Sequence, residues 1–218
     1  MRWIVLTALL LASSGCLQPV APRALAPDRT ASSAPAVSFP PPIEPARCPF
    51  TLPGEIEGEG YACGILRVPQ MRSDPEGLQL GIFFARLNAV DPDPDAPPLL
   101  FLAGGPGASG VYDAPLLATT LAPLREHRDL LFFDIRGAGF SQPRIDCTTV
   151  SDSGAGPACM AALRGQGIEP MAFNTTQAAA DAADLLAVLG YKQADLFGVS
   201  YGTRLALEML RTQPQMVR

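Results

Sequence analysis

Short, continuous apolar runs alternate with longer helix-period segments over the second half of the chain. Pro98 to Ala103, Leu130 to Phe133 and Ala194 to Phe197 each read as a strand buried on both faces. Between them the pattern predicts a helix around Tyr112 to Leu124. A second helix, capped by Thr175 or Thr176, runs through Leu189 to a stop at Gly190 and carries Asp181 and Asp184. Earlier, Cys63 to Val68 and Leu78 to Val90 are strand-like and joined by a turn over Arg72 to Gly77. They form an antiparallel opening pair, followed by a rigid turn at Asp91-Pro92-Asp93-Pro94-Asp95. The segment Gln142 to Pro170 reads as irregular. Strands alternating with helices imply right-handed crossovers, so the fold class is α/β, a mostly parallel sheet with antiparallel opening strands.

The first residues follow another logic. Met1-Arg2 is a positive start and Ile4 to Ala12 an apolar core too short to span a bilayer, as in a signal peptide. Leu11-Ala12-Ser13-Ser14-Gly15-Cys16 resembles a bacterial lipobox with Cys16 as the lipidated residue, and departs from it at Ser13. Ala12-Ser13-Ser14 also fits ordinary cleavage after Ser14. Both readings place the protein outside the cytoplasm, either lipid-anchored to the cell envelope or secreted. Residues 17–47 are rich in Pro, Ala and Ser and read as a disordered tether.

With 48% hydrophobic residues the remainder can build a core, and a net charge of −5 without a basic cluster argues against nucleic acid as a partner. Four cysteines remain beyond Cys16, an even number in an exported chain. Cys48–Cys63 and Cys147–Cys159 each close a short loop and are the expected disulfides. Their spacings match no zinc pattern, and no metal is implied.

Candidate chemistry centres on Gly198-Val199-Ser200-Tyr201-Gly202, set between a strand and a helix. This is the context of a nucleophile elbow, in which a sharp turn lifts the serine hydroxyl above the sheet edge. Gly198 and Gly202 let strand and helix pass closely, and the helix N-terminus favours the negative charge of acyl transfer. Gly104-Gly105-Pro106-Gly107 follows another buried strand. Its backbone can supply a second oxyanion donor, so the amides of Gly105 and Tyr201 are the candidate hole. Without G-x-x-x-x-G-K-[ST], a phosphate loop is disfavoured. Asp134 and Arg136, in Asp134-Ile135-Arg136-Gly137-Ala138-Gly139-Phe140-Ser141, sit where they can pair and brace the oxyanion loop, without a chemical step of their own.

These three motifs, in this order, resemble the α/β-hydrolase family of proline iminopeptidases and tripeptidyl aminopeptidases. Ser200-Tyr201-Gly202-Thr203 and the cysteine before Gly64-Ile65-Leu66-Arg67-Val68-Pro69 lean toward the secreted tripeptidyl-aminopeptidase-like branch. The resemblance spans Cys48 to the end, so residues 48–218 are expected to be the N-terminal half of such a domain, its sheet incomplete at the C-terminus. It implies release of short units from peptide N-termini through an acyl-enzyme on Ser200, with Gly105 and Tyr201 as oxyanion donors, Gly104, Gly107, Gly198 and Gly202 supporting the turns, and no cofactor. Ala103 departs from the family, where iminopeptidases have His.

The larger departure concerns the triad. In this family an acid and then a histidine follow the serine. Glu208 lies on the helix after the elbow, and no histidine follows. The single histidine, His127, precedes the Leu130 strand and should lie at the far end of the sheet. The chain therefore reads as truncated before the triad acid and base. Three functions remain open: an exported serine aminopeptidase inactive in this form, an esterase or amidase on small acylated compounds, or a non-catalytic envelope-tethered remnant.

Overall fold

The computed structural model describes residues 43–147 and 156–218. The expected signal peptide, Cys16 and most of the expected tether lie outside the described residues. The elements run β1 (Ile43–Ala46), β2 (Tyr61–Met71), β3 (Asp74–Leu87), β4 (Leu99–Leu102), α1 (Gly110–Thr120), α2 (Ala122–Arg125), β5 (Leu130–Phe133), α3 (Gly156–Gly165), α4 (Thr175–Val188), β6 (Asp195–Gly198) and α5 (Tyr201–Thr212). They form one mixed sheet in the order β1-β2-β3-β5-β4-β6. β1, β2 and β3 pair antiparallel, β3 also pairs antiparallel with β5, and β5, β4 and β6 are mutually parallel.

The core explains the apolar runs. β4 (Leu-Leu-Phe-Leu) and β5 (Leu-Leu-Phe-Phe) are buried at every position because helices cover both faces of the sheet. On one face Leu66, Ile82, Leu100, Leu102 and Phe133 pack against Ala182, Leu185 and Leu186 of α4 and Leu205 and Met209 of α5. On the other, Phe83, Phe101 and Phe132 meet Val111 and Ala114 of α1, with Cys48, Leu52 and Tyr61. The connection from β4 through α1 therefore covers one face and those through α4 and α5 the other. From β4 the chain runs to β5 on one side and then returns past β4 to β6 on the other. The order of connections thus reverses at β4, the place where open α/β sheets leave a crevice at their C-terminal edge.

Several expectations are corrected. Ile43–Ala46, inside the expected tether, is a strand: β1 pairs with β2, and Glu44 accepts from Arg67 at 2.8 and 2.9 Å. The β2–β3 turn is tighter than expected, with Met71 already opposite Asp74 and the bulge falling between Pro69 and Met71. The helix expected over Tyr112 to Leu124 begins at Gly110, is capped by Ser109, and breaks at Leu121 into α2. The segment expected to be irregular holds α3, whose Cys159 and Leu163 are buried against Ile145 and Phe173. Asn174, not a threonine, caps α4, accepting from the Gln177 amide at 3.0 Å. Both expected disulfides are present, Cys48–Cys63 with Cα atoms 5.1 Å apart and Cys147–Cys159 with 5.5 Å.

Asp134 and Arg136 do not pair. The Arg136 guanidinium, buried, turns to α4 and grips Asp181 with two hydrogen bonds of 2.6 and 2.7 Å, and donates to the carbonyls of Gln70 and Ala172 at 2.9 Å. Arg72 closes the group, meeting Asp181 and Asp184 at 2.7 Å each. Two buried charges in a bidentate pair with their remaining donors satisfied hold α4 to the turn after β5. Removing one partner leaves the other charged and uncompensated. Asp181→Ala is expected to lower unfolding free energy by about 3–5 kcal/mol, read from urea denaturation. A loss within about 0.5 kcal/mol, the range of surface changes, would contradict this role.

Candidate active site

Because β4, β5 and β6 are parallel and in register, Leu102 standing opposite Gly198, the turns after all three open on one rim. Ala103 to Gly107, Asp134 to Ser141 and Val199 to Gly202 meet there. Ser200 occupies φ 51°, ψ −116°, the one described non-glycine residue with positive φ. That conformation is strained, and its side chain is exposed at the rim, not in the core.

Close packing enforces the bend. A Cβ on Gly202 would collide with the Leu102 carbonyl oxygen, and one on Gly198 would stand 2.6 Å from the Gly202 oxygen. Strand and helix can approach this closely only without side chains. The turn is tied by Gly202 N–H to the Val199 carbonyl at 2.8 Å and Thr203 N–H to the Ser200 carbonyl at 3.0 Å. The glycine loop is adjacent: a Cβ placed on Gly104 would lie 3.3 Å from Ser200 Cβ and 3.9 Å from its Oγ. Gly105 and Gly107 take φ of 107° and 109°, and the Gly105–Pro106 peptide is cis. Neither the Gly105 nor the Tyr201 amide has an acceptor among the described residues.

Asp134 joins the end of this loop to the turn after β5. Fully buried, its carboxylate accepts from Ser109 Oγ at 2.8 and 2.9 Å, the Val111 amide at 3.1 Å and the Phe140 amide at 2.7 Å. Ser109 in turn caps α1, accepting from the Tyr112 amide at 3.0 Å. The start of the helix that ends the glycine loop is thus clamped to the turn after β5. Ser141 completes the clamp, donating to the Asp134 carbonyl at 2.7 Å and accepting from the Phe83 amide at 2.9 Å. Ser109 went unread in the sequence, where a serine shortly before a helical run is the signal that could have marked it as a cap. Nothing in a single sequence marks the partner of Ser141 on β3.

His127 lies before β5, exposed, its Nδ1 2.9 Å from the Asp91 carbonyl. Four strand residues, about 13 Å, separate that end from the rim of Ser200. Glu208 is bound to Arg211 at 2.7 and 2.9 Å and to Thr176 at 2.6 Å, which hold its carboxyl down to about 2. Among the described residues no group of three or more His, Cys, Asp or Glu could hold a metal. A cleft of about 680 Å³ lined by Glu55, Arg86, Asn88 and Asp129 opens at the far end of β5, away from the serine.

A strained serine between strand and helix, set beside a glycine loop at a topological switch, defines a class of fold. The chain belongs to the α/β-hydrolase family: residues 97–218 match the model of the alpha/beta hydrolase fold. It is 29% identical to the serine protease Hip1 of Mycobacterium tuberculosis over 240 residues, covering 99% of this chain and 44% of that protein. Carboxylesterase B of the same organism is 36% identical over 89 residues, 40% of this chain and 17% of its own. The chain thus spans less than half the length of these relatives. Among solved structures, a proline iminopeptidase-related protein from Thermus thermophilus aligns with a TM-score of 0.44 at 24% identity, over 69% of this chain and 41% of that one. An α/β hydrolase from Novosphingobium aromaticivorans gives 0.46 at 21%, over 72% and 42%.

Burial pushes the Asp134 carboxyl above its ordinary value, although the bonds from Phe140, Val111, Ser109 and Gly110 oppose the rise. A carboxyl raised in the folded state binds more protons there than when unfolded. Its contribution is therefore fully present below the unfolded value, about 3.9, and is lost as pH climbs through the folded one. Asp134→Asn cannot ionise. The stability difference between wild type and variant is expected to shift against wild type from pH 4 to 7, as measured by denaturation midpoints. A shift in the opposite sense would show that the hydrogen bonds outweigh burial.

Proposed function

We propose that this chain carries the nucleophile and oxyanion half of an exported serine peptidase that releases short units from peptide N-termini. Ser200 Oγ attacks the scissile carbonyl carbon, and its proton passes to a base. The negative oxygen is held by the Gly105 and Tyr201 amides. Collapse expels the amine with a proton and leaves an acyl ester on Ser200, which water hydrolyses. The observation that carries this reading is the strained, exposed Ser200 beside the glycine loop, with the Gly105 and Tyr201 amides unengaged among the described residues. No cofactor enters such a sequence of steps.

Within the 218 residues the single histidine sits at the opposite end of β5, so acid and base come from residues outside this sequence. Relatives more than twice as long support that arrangement. Likeness to a serine protease over nearly the whole chain favours peptides over esters. The shorter match to a carboxylesterase, at higher identity, supports the second reading, an esterase or amidase acting on small acyl compounds. Met1-Arg2, the apolar core that follows and two disulfides support export, with Cys16 as a lipid anchor to the envelope.

The test compares the chain of 218 residues with the product of its whole reading frame, using aminoacyl and tripeptidyl anilides and acyl esters. The chain alone is expected to turn over neither class. The whole product should cleave the anilides, and Ser200→Ala should lower kcat by at least about 10⁴. Unchanged turnover in Ser200→Ala removes Ser200 as nucleophile, and preference for the esters selects the second reading.

A further inference from the structure

The nucleophile turn is fixed on one side by backbone contact. Gly202 abuts the end of β4, and Thr203 Oγ1 folds back on the Ser200 carbonyl at 2.6 Å. On the other side the turn from Gly198 to Thr203 has one side-chain bond to another element among the described residues: the Tyr201 phenol, 2.8 Å from Thr175 Oγ1. Thr175 is the first residue of α4, and that end of α4 is itself held from several directions. Asn174 caps it and also donates to the Met171 carbonyl at 2.8 Å, and Asp181 anchors the same helix to Arg136. The phenol thus ends on a fixed post.

Tyr201 has two parts that share one Cα. Its amide is the donor next to the nucleophile, and its ring is a rigid lever with few rotatable bonds. Rotation of the turn that swings the amide must also swing the ring. Holding the far end of the ring therefore limits the directions the amide can take, in a turn whose serine already occupies a strained conformation.

We propose that Thr175 is a positioning residue for acyl transfer: by holding the Tyr201 phenol it fixes the aim of the Tyr201 amide at the developing oxyanion. The proposal rests on the reading of Ser200 as nucleophile. The bond acts where charge develops, so its loss falls on the transition state more than on substrate binding.

The experiment uses the whole gene product and four variants: Thr175→Val, Thr175→Ser, Tyr201→Phe and the double Thr175→Val/Tyr201→Phe. Thr175→Val and Tyr201→Phe are each expected to lower kcat about tenfold with KM unchanged, less than the 10²–10³ lost when a donor is deleted outright. Thr175→Ser, which keeps the hydroxyl, should restore kcat, and the double variant should be no slower than Tyr201→Phe. In the chain of 218 residues itself, the Gly202 and Thr203 amides should exchange hydrogen faster in both single variants. Losses that add in the double variant, a change confined to KM, a kcat loss that only tracks the melting temperature, or unchanged exchange would each overturn the proposal. Should Ser200→Ala abolish turnover while Thr175→Val leaves it intact, this inference fails and the nucleophile stands. Turnover that survives Ser200→Ala removes the nucleophile reading itself.

Discussion

The Leu102 carbonyl oxygen sets the geometry of the site. It ends β4, accepts the Val199 amide at 3.1 Å, and lies where any side chain at position 202 would have to go. The first turn of α5 can therefore sit against the end of a neighbouring strand. That approach forces the backbone to reverse within Val199 and Ser200, giving the positive φ of the serine. The same contact brings Ser200 beside Gly104, the second residue past Leu102. A single close backbone approach thus produces both the strained serine and its proximity to the glycine loop.

Around this contact, two buried acids divide the work of holding the rim. Asp134 is satisfied by one hydroxyl and by backbone amides and faces no cation among the described residues, so burial dominates its ionisation. Asp181 is satisfied by guanidinium groups from two directions. The first fastens the glycine loop to the turn after β5, and the second fastens that turn to α4. Because Arg136 belongs to the same turn as Asp134, the two groups form a continuous support from α1 to α4 across the C-terminal edge of the sheet.

Much of this was legible in the chain. Leu130–Phe133 matched its apolar run because a strand buried on both faces leaves no polar positions to blur its limits. The elbow was legible because glycine on both sides of a serine, between strand and helix, has few other uses. β1 was hidden because Ile43-Glu44-Pro45-Ala46 lies in a proline-rich stretch and is held by ladder bonds to β2 and by the Glu44–Arg67 pair. α3 was hidden by the glycines at its ends. The expected Asp134–Arg136 pair failed for a specific reason. Residues two apart share a face only while the chain stays extended, and β5 ends at Phe133 before the turn through Gly137 at φ 82° sends Arg136 toward α4. Thr175 was visible only as a candidate cap. Its bond to Tyr201 spans 26 positions and has no local signature.

β6 occupies an outer position in the described sheet. It bonds to β4 on one side, while on the other a single bridge joins Ala194 to Val217, through Ala194 N–H to the Met216 carbonyl and Arg218 N–H to the Ala194 carbonyl. Since Asp195 and Val199 direct their amides to β4, those of Leu196 and Gly198 point to the unpaired margin, where Phe197 is 38% exposed. The turn that carries Ser200 consequently stands on a cantilever, supported along one flank. Its stiffness is borrowed from β4 and α5, and any polypeptide laid along the bare flank in the direction started at Val217 would tighten the mounting of Ser200 without touching it.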